Sequence, residues 1–70
     1  MSRRWLVASL RATLGADPVN LEEVRPYLAL AKRGGLGWER LYAEAVGEQV
    51  LARPERAGLL PPMEAVVPPE

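Results

Sequence analysis

The sequence predicts a small all-α fold, three helices followed by an irregular proline-rich tail, and three observations carry that prediction. Apolar residues recur at helical spacing in three segments, near residues 2 to 14, 21 to 33 and 38 to 53. Short connectors of turn-forming residues, ADPVN and GGLG, separate them. The last twelve residues, LLPPMEAVVPPE, contain four prolines and no helical period, so they read as an extended, polyproline-like end. Residues 1–58 are therefore read as a three-helix domain and residues 59–70 as its tail.

The third helix is the best anchor for a core. In WERLYAEAVGEQVLA, residues Trp38, Leu41, Tyr42, Ala45, Val46 and Ala52 share one broad face, with Arg40, Glu44 and Glu48 opposite. Gly47 falls on the outer side, where glycine costs about 1 kcal/mol relative to alanine; it marks either a close approach by another backbone or a tolerated weakness.

In the first helix Leu6, Val7, Leu10, Thr13 and Leu14 form the main apolar stripe, and Gly15 stands just past its end. Trp5, Ala8 and Ala12 occupy a second face, roughly 140° around from Leu10 at 100° per residue. The helix is thus apolar on two sides, one for an internal core and one flat enough for a neighbouring helix. Asp17-Pro18 signals a turn, and Asn20 with Glu23 has the spacing of a capping box for the second helix. There Leu21, Val24, Leu28 and Ala31 share a face, while Pro26 should either kink the helix or start it. The expected core is Leu6, Leu10, Leu14, Val24, Leu28, Leu41, Tyr42, Ala45 and Val46.

Seventy residues make one small domain, which buries only about 60% of the surface its unfolded chain exposes. Such folds are commonly reinforced by disulfides, a metal or a partner, and a chain with no Cys and no His leaves the partner. Ile and Phe are also absent, and eight Arg stand against one Lys, a bias that reads as a GC-rich genome and also suits a thermophile. Net charge is zero but uneven. Residues 1–33 hold six basic and three acidic residues, and the remainder holds three basic and six acidic, which favours antiparallel self-pairing or packing of the first helix on the third.

No catalytic, metal-binding or cofactor-binding set can be assembled. Ser2, Ser9 and Thr13 have no base nearby in sequence, and GGLG beside Lys32 and Arg33 lacks the Gly-Lys-Ser/Thr ending and preceding strand of a phosphate loop. The pair of helices around that loop has the outline of a helix-turn-helix, but Glu39, Glu44 and Glu48 on the second would be repelled by phosphates. No stretch approaches twenty apolar residues, and WLVASL is too short for a secretory signal, so the chain reads as soluble, unprocessed and cytoplasmic.

The expected function is a non-enzymatic helical interaction module, acting as a homo-oligomer or as an accessory subunit on a larger protein. Its candidate contact residues are Trp5, Ala8 and Ala12 on the first helix and Leu59, Leu60 and Met63 in the tail. The three tail residues should pack on helical surface near Trp38 and Tyr42 or across an interface, with 67–70 loose. The alternative is a small nucleic-acid-binding regulator using Arg3, Arg4 and Arg11, with Lys32 and Arg33; two of these arginines sit at a helix N-terminus, where the dipole disfavours cations. A membrane-surface role for the first helix is a third expectation.

Overall fold

A computed structural model describes residues 2–69. Three α-helices, α1 (Arg3–Thr13), α2 (Leu21–Arg33) and α3 (Trp38–Ala52), are followed by two 3-10 turns, Pro54–Leu59 and Met63–Ala65. The fold is the small all-α, three-helix domain with an irregular proline-rich tail expected from the sequence.

Each boundary has a local cause. Ser2 is the N-cap of α1 rather than its first residue, its Oγ accepting from the Trp5 N–H at 3.0 Å. At the start of α2 the Asn20 side chain accepts from the Glu22 N–H at 3.0 Å, so the cap reaches the second helical residue. Pro26 neither starts nor stops α2; it lies on the exposed side, and the Glu22 carbonyl left without its donor belongs to an exposed residue. The stop is a Schellman turn, with Leu36 N–H donating to the Ala31 carbonyl at 3.0 Å and Gly35 N–H to that of Lys32 at 3.2 Å. Gly35 and Gly37 hold φ of 69° and 68°, which side chains rarely adopt, and the second serves as N-cap of α3.

The inward stripes of the three helices meet in one core. Leu6, Leu10, Leu14, Val24, Leu28, Ala31, Leu41, Tyr42 and Ala45 are buried, joined by Val7 and by Val66 from the tail. Val46, expected in this core, is only partly buried at its edge, and Ala52 is exposed because it lies beyond the last core layer. Gln49 holds the inward position one turn earlier.

The tail differs from the expectation in which side chains it seats. Leu60 and Met63 pack against the core, but Leu59 ends a 3-10 turn and is 53% exposed. Val66 and Pro68 are buried, although Pro68 falls in the stretch expected to be loose. Two polar tethers hold this segment: Tyr42 Oη donates to the Pro61 carbonyl at 2.5 Å and Arg25 Nη2 to that of Ala65 at 3.0 Å. Prolines donate nothing, so the segment is fixed through its carbonyls.

Candidate functional site: the outer helix faces

Packing α1 on both other helices leaves its second apolar face outward. Ala8 and Ala12 are exposed, and Trp5 is 50% exposed with its ring edge-on to Tyr27 of α2, centroids 5.7 Å apart. The three side chains expected as an interaction face therefore lie on one open surface. Leu59 is also open, whereas Leu60 and Met63 are engaged within the chain.

The three arginines of α1 line an open groove of about 540 Å³ between α1 and α3, together with Val7, Ala8 and two glutamates of α3. Two of the three are paired with carboxylates of α3. Arg3 Nη1 contacts Glu44 Oε1 at 2.5 Å and Arg11 Nη1 contacts Glu48 Oε1 at 3.6 Å. All four side chains are about half exposed, so each pair is worth at most about 1 kcal/mol; their effect is to align α1 with α3 and to offset two of the groove's three positive charges, that of Arg4 remaining. A polyanion would meet two carboxylates there. Lys32 and Arg33, on the last turn of α2, are not among the residues that line this groove.

Two of the three hydroxyl groups considered for chemistry have local structural partners. Ser2 caps α1, and Thr13 Oγ1 donates to the Ser9 carbonyl at 2.8 Å. Among the described residues no group of three metal-binding side chains comes together, and no helix is long and apolar enough to cross a membrane.

Two buried polar side chains escaped the sequence reading. Gln49 Nε2 donates to the Arg11 carbonyl at 2.6 Å, and Arg56 Nη2 donates to those of Leu14 and Ala16 at 2.6 and 2.5 Å. Together they close the C-terminal end of α1, where free carbonyls and the helix dipole favour a cation. Arg56 is only 2% exposed, and among the described residues it makes no ion pair and its Nε has no partner. Neither residue has a local signal, since each reaches across about forty positions of chain.

The outer face of α3 is a second open surface. Ala43, Gly47 and Leu51 follow at intervals of four on its solvent side, and Leu51 is 85% exposed, the most of any large apolar residue described. A Cβ added at Gly47 would meet nothing within 4 Å, so no backbone of this chain approaches that glycine.

The class these features define is a small three-helix domain with a closed core and apolar outer faces. No family model matches the chain, and neither the curated proteins nor the solved structures contain a significant match.

Proposed function

We propose that the protein is a non-enzymatic helical interaction module, working as a homo-oligomer or as a small subunit docked on a larger protein, in the cytoplasm. The observation that carries this reading is the outward face of α1, where a half-exposed Trp5 borders the small, exposed Ala8 and Ala12. A tryptophan beside a flat alanine surface is a good contact for an opposing helix, because it offers a large apolar area at low entropic cost and its indole N–H can still find a partner. The chain offers little for catalysis: His and Cys are absent, and Ser2 and Thr13 have structural partners.

Native purification of the full chain tests the proposal, with Ala8→Glu as the probe because it places a charge on the exposed face without touching the core. A stoichiometric protein partner, or self-association, that is lost in Ala8→Glu while circular dichroism is unchanged supports the reading. A folded monomer at micromolar concentration that retains no partner contradicts it.

A further inference from the structure

The segment from Leu60 to Pro69 is held on the helices as a bound peptide is held. Among the described residues, every hydrogen bond between the two runs from a helix side chain to a tail carbonyl. Tyr42 Oη of α3 donates to that of Pro61, and Arg25 Nη2 of α2 to that of Ala65, four residues further along. The tail's own donors are used inside it, Ala65 N–H on the Pro62 carbonyl at 3.0 Å and Val66 N–H on that of Met63 at 3.1 Å. Val66 and Pro68 are buried, whereas Glu64 and Val67 face water. Side-chain donors aimed at carbonyls, with apolar sites for alternate residues, suit a proline-rich segment, which offers acceptors, has few donors and is extended before it binds.

Past Pro68 the groove opens into a cleft bordered by Ala29, Lys32, Arg33 and Pro69, and the two cations make no ion pair among the described residues. An acidic residue after the prolines suits that end, and the tail has this order in its sequence, Pro68-Pro69-Glu70. None of these contacts requires the segment to be joined to α3. We infer that the groove bridging α2 and α3 is a binding site for an extended, proline-rich and acidic segment of a partner protein, which the chain's own tail occupies until the partner displaces it. A short connection gives the tail an effective concentration on the order of millimolar, so it closes the site to weaker competitors. Exchange with a second copy replaces each contact by an identical one and gains nothing. The inference is independent of the Trp5 face of α1, whose test reads a partner lost in Ala8→Glu.

A labelled peptide of residues 59–70 of this sequence stands in for the partner's segment, and fluorescence anisotropy reads its binding to three full-length chains. Val66→Asp puts a carboxylate in an apolar site and empties the groove of its tail; Val66→Ala loosens the tail and keeps the helices folded. The peptide should bind either variant roughly tenfold more tightly than the unaltered chain, and should raise the variant's melting temperature as it binds. Adding Tyr42→Phe to Val66→Ala should weaken the peptide about fivefold, for the bond lost to the Pro61 carbonyl. A peptide carrying Glu64→Ala and Val67→Ala, at positions that face water, should bind as its parent does, and one carrying Val66→Asp should not bind. Equal binding to the unaltered chain and Val66→Ala, or binding to neither, overturns the inference. So does a dimer that persists in Ala8→Glu and dissociates when the peptide is added, which makes a second copy the occupant.

Discussion

The tail from Pro61 to Pro68 and the outer side of α3 make an instructive pair. The first is irregular and proline-rich, yet it is seated: Val66 and Pro68 are buried, and two of its carbonyls accept from Tyr42 and Arg25. The second is regular helix, yet it leaves Leu51 almost wholly in water. Regular secondary structure and burial are thus separate matters. A segment without helical period is held when its apolar side chains fit a core edge and its carbonyls find donors, whereas a well-formed helix has only one stripe to bury in a three-helix domain.

The largest expected effect lies where a polar side chain seals the end of a helix. Arg56→Met removes both donors from the Leu14 and Ala16 carbonyls and should cost about 3 kcal/mol, since buried acceptors left unmet lose more than the net value of the bonds. Urea titration followed by circular dichroism would measure it. A loss under about 0.5 kcal/mol would mean that α1 closes without Arg56.

Next comes the tail. Val66→Ala should destabilise the whole domain by about 2 kcal/mol, because it deletes two methyl groups' worth of packing from a fully buried site. An unchanged denaturation midpoint would place the tail outside the cooperative unit and undo the contrast with α3.

These two sites also mark the limits of what the sequence makes legible. The inward residues Leu6, Leu10, Leu14, Val24 and Leu28 repeat at helical spacing, and that period alone places them in the core. The Trp5–Ala8–Ala12 face is legible for the same reason, as a second stripe on the same helix. Arg56 and Gln49 are not, because an arginine after a proline and a glutamine late in a helix read as solvated; their burial follows from the meeting of α1's carbonyl end with α3 and the turn after it. Val66 is missed because its segment has no period, and Leu59 is misplaced because the chain turns through a 3-10 helix instead of running extended. Leu51 lies off the core-forming stripe of α3, so the helical period that marks the core does not mark it.

A smaller effect is expected at the tail's tether. Burial pushes the Tyr42 hydroxyl up from 10.0 to about 12. The folded state therefore holds that proton more tightly than the unfolded chain. Its contribution is complete below pH 10 and is lost as pH rises through about 12. Tyr42→Phe gives up the bond to the Pro61 carbonyl, about 1 kcal/mol at neutral pH, and should also lack the wild-type decline between those pH values. Denaturation midpoints at pH 8, 10 and 11.5 compare the two chains; parallel curves would contradict the assignment.

At the other extreme of the comparison, a change on the outer side of α3 should leave the monomer's stability within about 0.5 kcal/mol, because Leu51 has little to lose in the isolated chain. That makes the concentration dependence of the melting temperature the most direct measure of whether this fold works by association. Binding to the folded state alone raises apparent stability by mass action. Over a hundredfold range of protein concentration, the unaltered chain should melt progressively higher, while Ala8→Glu should give a flat line that meets the wild-type value at the dilute end. Two flat, coincident lines would contradict self-association through α1.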